Sequence, residues 1–169
     1  MGFNSLQDVL EEQLEDLHSA ESQLVEALPK MAKAANHDEL RKAFEHHLEE
    51  TRGHLQRVEE ALGELGVSNP SEVCKGMQGL IAEGEEMIEM EGEPSAKDAA
   101  LIGAAQRVEH YEIAAYGTAR QLADDCGLDG IRDLMDQTLD EESQADTLLT
   151  KIATGGMLKS GLNEQAKKA

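Results

Sequence analysis

Apolar residues recur along the chain at intervals of three and four, the spacing of one helix face, and strand-like alternation is nearly absent. Four long stripes stand out. The first helix begins at Ser5, with Asp8 three residues on, and its stripe reads Leu10, Leu14, Leu17, Glu21, Leu24, Leu28 and Met31. Pro29 falls inside it, where a proline removes a backbone donor and crowds the preceding turn. The pattern predicts a kink there, or an end with a short continuation to Ala35. The second helix begins at Asn36, with Glu39 placed for a capping box. It carries Leu40, Phe44, His47, Thr51, His54, Leu55, Val58 and Leu62 and ends near Gly66. The third runs from Ser95, with Asp98 three residues on, to about Asp125, where Gly127 stops it. Its stripe is Leu101, Ala105, Val108, Glu112, Ala115, Ala119 and Leu122. The fourth spans Asp129 to Ala153, with Ile131, Met135, Thr138, Glu142, Ala145, Leu149 and Ile152 inward; Gly155 and Gly156 end it.

Residues 71–92 are amphipathic but interrupted by Gly76, Gly79 and Gly84, which predicts one or two short helices outside the main packing. A tight turn would make the second and third helices antiparallel neighbours. A connection this long can instead run the length of a bundle as a crossover. Residues 1–156 therefore read as one domain, and 157–169, with Lys159, Lys167 and Lys168, as a mobile tail.

Composition narrows the partners. The chain has 169 residues, 35 acidic and 15 basic, for a formal net charge of −20. That balance argues against nucleic acid and against an anionic membrane surface, because no excess of cations is available to neutralise phosphates. Aromatics are 2% and Trp is absent, so the core must be built from Leu, Ile, Val, Ala and Met. No stretch approaches the length of a membrane span. Asp8, Glu11 and Glu12 fall where a signal peptide would be apolar. Cys74 and Cys126 stand apart from each other and from any CxxC, so a reducing cytoplasm is the expected compartment.

The stripes carry glutamates where leucines belong: Glu21, Glu112 and Glu142. On the second helix His47 and His54 lie on the stripe with Glu50 beside both, since positions three, four and seven apart share a face. The same spacing places Glu109 beside Glu112 and Asp146 beside Glu142. Each lies near the middle of its helix, so packed helices would bring them into one layer. Buried carboxylates lose hydration and repel, at several kcal/mol each even after relaxation. Arg107 and Arg120 fall off the third stripe, which leaves a metal as the best compensator. Oxygen ligands with an imidazole suit iron or manganese. The expected ligands are Glu21, Glu50, His54, Glu109, Glu112, Glu142 and Asp146, with His47 competing with His54; no catalytic residue separate from the ligands is expected. His110 flanks the layer. Cys74, Tyr111 and Tyr116 read as packing residues, the tyrosines with bonded hydroxyls.

The stretches LHSAESQLVEALPKMAKAA (17–35), FEHHLEETRGHLQRVE (44–59), DAALIGAAQRVEHYEIAAYGTA (98–119) and TLDEESQADTLLTKIA (138–153), with SEVCKGMQGLIAEGEE between them, carry a resemblance. In this combination the chain resembles the YciE/YciF type of ferritin-like protein, a bacterial stress-associated family. The resemblance implies an all-α, ferritin-like antiparallel four-helix bundle with a long, partly helical crossover between helices 2 and 3. It also implies a homodimer and a rubrerythrin-style site of two irons that reacts with dioxygen or peroxide, as a ferroxidase or peroxide-consuming oxidoreductase. A metal binder without turnover and a metal-free stress or structural bundle are the competing expectations. Glu109 and Glu112 match the family's third-helix Glu-x-x-Glu, and Glu21 its first-helix ligand. The pattern wants His three residues after the second- and fourth-helix glutamates. Gly53 and Ala145 stand there, with His54 and Asp146 one residue later.

Overall fold

Each stripe becomes a helix in the computed structural model, which describes residues 2–156 and 159–167. Helix α1 spans Leu6–Ala34, α2 Asp38–Glu64, α3 Lys75–Glu89, α4 Pro94–Asp125 and α5 Asp129–Thr154. A two-residue hairpin, β1 (Gly155–Gly156) against β2 (Lys159–Ser160), then leads into α6 (Leu162–Ala166). Six helices thus occur among the described residues, and the fold class is all-α. No helix among them is long and apolar enough to cross a membrane.

The four long helices pack as a ring in which α1 touches α2 and α4, and α5 touches the same two. Their core falls into two clusters. One joins the start of α1 to the ends of α2 and α4 and the start of α5, through Leu10, Leu14, Leu62, Ala123 and Ile131. The other joins the opposite ends through Leu28, Met31, Leu40, Phe44, Leu101 and Leu149. Neighbours in the ring therefore run antiparallel, and only the diagonal pairs run parallel.

The ends of these helices follow from local chemistry. Ser5 accepts the Asp8 backbone N–H and caps α1. Helix α1 passes through Pro29 to Ala34 without ending there. Gly66 (φ 81°) and Gly127 (φ 72°) close α2 and α4 in the left-handed conformation that glycine adopts without strain. The N–H of the following residue returns to the helix in both cases, Val67 to Leu62 O at 2.9 Å and Leu128 to Ala123 O at 2.9 Å.

Two caps differ from expectation. The α2 cap is His37, not Asn36, and α4 starts at Pro94 after Glu93 rather than from Ser95. Asp98 is released from local capping and is buried. Its carboxylate accepts the backbone N–H of Asn36 (2.9 Å) and of His37 (2.8 Å), which fixes the α1–α2 turn onto α4.

The segment between α2 and α4 settles over α1 and α4 as the single helix α3. Cys74, fully buried, caps it by accepting the Met77 N–H, and its own N–H reaches Ser19 of α1 at 3.0 Å. Lys30 of α1 pairs with Glu85 at 2.7 Å, and Lys97 of α4 donates to the carbonyl of Ile88. The segment expected as a tail is in part folded back: α6 packs on α4 and α5, and Leu162 joins the apolar cluster. An isolated helix this short has no stability of its own, so burial of Leu162 is what holds it. The rest of that expectation, residues 157, 158, 168 and 169, lies outside the described residues.

Candidate metal centre

Between the two apolar clusters lies a polar layer. Glu21 from α1, His47 and His54 from α2, Glu109 and Glu112 from α4, and Glu142 from α5 are all buried. On α4 the inward face keeps Leu101, Ala105, Glu112 and Ala119 of the expected stripe but is turned partly to one side of it. Ile102, Glu109, Tyr116 and Ala123, spaced by sevens, are buried, whereas Val108 and Leu122 are only half-buried. That rotation carries Glu109 from the edge of the stripe to 3% exposure, beside Glu112 at 0%.

Donor atoms converge in two groups that share one residue. His47, Glu109, Glu112 and Glu142 bring one atom each within 4.8 Å of one another, and so do Glu21, His54 and Glu142. Glu142 turns an oxygen to each imidazole: Oε2 lies 3.5 Å from His47 Nε2 and Oε1 2.8 Å from His54 Nδ1, the latter off the hydrogen-bonding direction. Glu109 Oε1 is 3.4 Å from His47 Nε2, and Glu21 Oε1 is 3.6 Å from His54 Nδ1. The rings stand 6.0 Å apart, with buried Thr51 between them on α2 bonded to the His47 carbonyl.

Both histidines are held from outside in the same way. His47 Nδ1 meets Glu50 Oε2 at 3.3 Å, and His54 Nε2 meets Glu141 Oε2 at 2.9 Å. A carboxylate on one ring nitrogen holds a proton there, so that the other nitrogen, once deprotonated, faces inward as a lone-pair donor. Arg57 backs Glu141 with an ion pair and donates to Thr138 Oγ1 at 2.8 Å. Tyr116, fully buried, donates its hydroxyl to Glu21. Tyr111 faces elsewhere, donating to Asp16 at 2.6 Å beside the Cys74 sulfur.

The inner face of this layer is unsatisfied. Glu21 Oε2, His47 Nε2, His54 Nδ1, Glu109 Oε2 and both oxygens of Glu112 and of Glu142 are buried without a hydrogen-bond partner. Proteins pair nearly all such atoms. The protonation states show the stress. Burial drives the Glu21 carboxyl up to about 7 against the pull of His54. Burial, with the nearby carboxylates, pushes Glu109 and Glu112 well above the usual carboxylate range. Burial presses on His47 in the opposite sense, but Glu109, Glu50, Glu142 and Glu21 override it and hold the imidazolium to about 10. Burial alone would raise Glu142 too, yet His54 and His47 keep it below its ordinary value. Protons are thus the makeshift compensators of a site whose donors all point at one space.

The donor set fits divalent cations that favour oxygen with some nitrogen, such as iron or manganese. Four carboxylates also balance the charge of two divalent ions.

Of the seven residues expected as ligands, Glu21, His54, Glu109, Glu112 and Glu142 meet in this layer, and His47 joins them instead of competing with His54. Glu50 and Asp146 do not. Glu50 spans His47 and the exposed His46, and Asp146 accepts from Gln106 at 2.9 Å and faces His110. The outer Glu141–Arg57 pair gave no usable signal in sequence, because a glutamate and an arginine beside a stripe look like any solvated face. Tyr116 is the packed tyrosine with a bonded hydroxyl that the sequence led one to expect, and its partner is Glu21.

A family model described as a domain of unknown function, DUF892, matches residues 5–162. The chain is 41% identical to protein YciF of Escherichia coli K12, over 97% of this chain and 99% of that protein. The crystal structure of the E. coli stress protein YciF superposes with a TM-score of 0.87 at 40% identity, covering 94% of this chain and all of the other. A second structure, YcfI of Rhodopseudomonas palustris, for which a structural role has been suggested, gives 0.85 at 36% identity, covering 89% of this chain and 96% of that one. The chain is therefore a member of the DUF892 family, to which its likeness to YciF extends along nearly the whole length.

Proposed function

We propose that this protein is a ferritin-like metalloprotein that binds two divalent ions, iron or manganese, in the layer between its two apolar clusters, and uses them as a ferroxidase or in consuming peroxide. In this reading α1, α2, α4 and α5 are the four-helix bundle and α3 is its crossover. The observation that carries the proposal is the set of buried, partnerless donor atoms facing one another on four helices. Di-iron carboxylate bundles combine four glutamates with two histidines, drawn as Glu-x-x-His pairs from two helices. The same donor types in the same numbers occur here, but both histidines come from α2, seven residues apart. That redistribution accounts for Gly53 and Ala145 at the expected histidine positions.

His47, Glu109 and Glu112 would hold one ion, Glu21 and His54 the other, and Glu142 both. Bound iron or manganese would supply one-electron steps from each ion to dioxygen or peroxide. The chain's own groups do the rest. Glu50 and Glu141 fix the imidazole tautomers, Tyr116 orients Glu21, and the apolar clusters keep bulk water from the layer. A groove of about 320 Å³ between α2 and α5, lined by His46, His47, Glu50 and Glu109, gives polar molecules a route to this edge of the layer.

The test is metal content and turnover. Protein loaded anaerobically should hold two irons or manganese ions and oxidise ferrous iron with dioxygen or peroxide. Absence of binding, with no effect of Glu142→Ala, overturns the reading; binding without turnover leaves a metal-sequestering protein.

A second reading is a metal-free, dimeric stress or structural protein. The suggested structural role of the R. palustris relative and the Tyr116–Glu21 hydrogen bond favour it. It requires that replacing Glu21, Glu112 and Glu142 by Gln raise stability and leave metal-dependent behaviour unchanged. Light scattering tests the dimer, and a dimer would exclude storage in a cage.

A further inference from the structure

A second opening reaches the same edge of the layer from the opposite chemical direction. Where α3 lies over the seam between α1 and α4, a cavity of about 40 Å³ remains. Its walls are Leu24, Leu28, Phe44, Leu80, Ile81 and Val108, and its inner end is formed by His47 and Glu109. At the rim Lys30 and Glu85 neutralise each other across α1 and α3 at 2.7 Å. One water needs roughly 10–15 Å³ and two to four polar partners. The space would admit water, but its walls offer almost no partners. Apolar walls with so few polar partners favour small apolar molecules over water.

The space is also left open by a particular residue. Gly84 is buried on α3 and lines the cavity, and a Cβ built there meets only Met31 Sδ, at 3.9 Å. A side chain would fit, would favour the helix by about 1 kcal/mol, and would fill the void. The larger polar groove between α2 and α5 shares Phe44, His47 and Glu109 with the cavity. His47 and Glu109 therefore separate a polar approach from an apolar one.

We propose that the cavity roofed by α3 is a binding site for one small, neutral, apolar molecule of the size of dioxygen, held against His47 and Glu109. Its use in delivering dioxygen rests on the metal reading above; its affinity for such molecules does not. Metal-free protein labelled at its methyl groups tests the site directly, with dissolved dioxygen as a paramagnetic probe and xenon as a diamagnetic one. Dioxygen should broaden the methyl signals of Leu80, Ile81 and Val108 well beyond those of Leu65, Leu122 and Leu134, which are likewise half-buried at the other end of the molecule. Xenon should shift the same three. Gly84→Leu should abolish both effects, as should Ala27→Leu, which fills the cavity from α1. Equal broadening at both ends, or effects that survive both substitutions in folded protein, would overturn the proposal. In iron-loaded protein Gly84→Leu should raise the dioxygen concentration for half-maximal rate and leave that for peroxide unchanged. An unaltered oxygen dependence would remove the delivery role, whereas failure to load iron would count against the metal reading and leave the methyl experiment to decide the site.

Discussion

The two histidines of α2 occupy equivalent places but unequal surroundings. His54 is sealed in: Glu141 and Arg57 hold it from outside, and Tyr116 fixes the Glu21 carboxylate it faces. His47 has a lighter outer hold, a 3.3 Å contact to Glu50, which is backed by the exposed His46 instead of an arginine, and it stands at the junction of a polar groove and an apolar cavity. One half of the layer is thus preorganised and closed, and the other is accessible. The difference teaches that a set of ligands of the same kind acquires distinct roles from its second layer. On the metal reading proposed above, the His54 half is suited to retaining an ion, and the His47 half to exchange and to meeting a small reactant.

The residue common to both halves offers the strongest way to break this comparison. On the proposed reading, Glu142→Ala should remove the residue shared by both groups and reduce bound metal from two ions to less than one, read by elemental analysis after dialysis. Retention of two ions would mean that the halves do not share Glu142. Single substitutions should then separate them. His54→Ala and His47→Ala should each remove one ion, and in the unmodified protein a chelator should extract the His47 ion first, giving two kinetic phases.

The outer carboxylates sharpen the contrast at lower amplitude. Glu141→Gln and Glu50→Gln should weaken metal binding by about 10–100-fold, with the larger loss at Glu141, where Arg57 would be left without its partner. Titration calorimetry would measure both, and a larger loss at Glu50 would reverse the assignment of the closed and open halves.

Acidity offers a further check on the metal-free protein. Glu21 rises from 4.5 to about 7 and His47 from 6.5 to about 10, and His54, Glu109 and Glu112 also rise. The folded state then binds more protons than the unfolded state, so stability falls as pH rises through those windows. Glu142, Glu50 and Glu141, held low, act oppositely and weaken the fold only as pH drops below 4.5. Thermal unfolding without metal should therefore lose midpoint between pH 4.5 and 10, and added metal should flatten that decline because it binds the deprotonated donors. A midpoint that rises over this range without metal would contradict the burial of the layer. The smallest effect expected is at Glu112, whose two oxygens lack partners. Glu112→Leu should stabilise metal-free protein by about 1–3 kcal/mol in urea unfolding while depleting the His47 ion.

Much of this molecule was legible from spacing. The apolar stripes on α1, α2 and α5 lie buried as their periodicity predicts, save for the half-buried Leu55 and Ala145, because a helix face can be read from residues that are neighbours in sequence. Glu21, Glu112 and Glu142 betray themselves as charges among leucines for the same reason. On α4 the reading slips. Small alanines occur on several faces, so the apolar pattern leaves the rotation loose, and Glu109 and Tyr116 turn inward only when packed against α1 and α5.

Partner choice lies further from the sequence. Glu50 stands out in sequence by its spacing to His47 and His54, although not as the outer partner of His47 that it becomes. Glu141 sits beside its stripe in the same way as many solvated glutamates do, and only its distance across to His54 on another helix sets it apart. Asp98 has ordinary capping spacing from Ser95 and yet ties down a turn 62 residues away. The hydrophobic period determined which residues form helices and which carboxylates must be buried, since burial follows from the face of a single helix. Which nitrogen meets which oxygen, and which half of the layer is open, was decided by tertiary structure, because those are distances between helices and no single-helix pattern contains them.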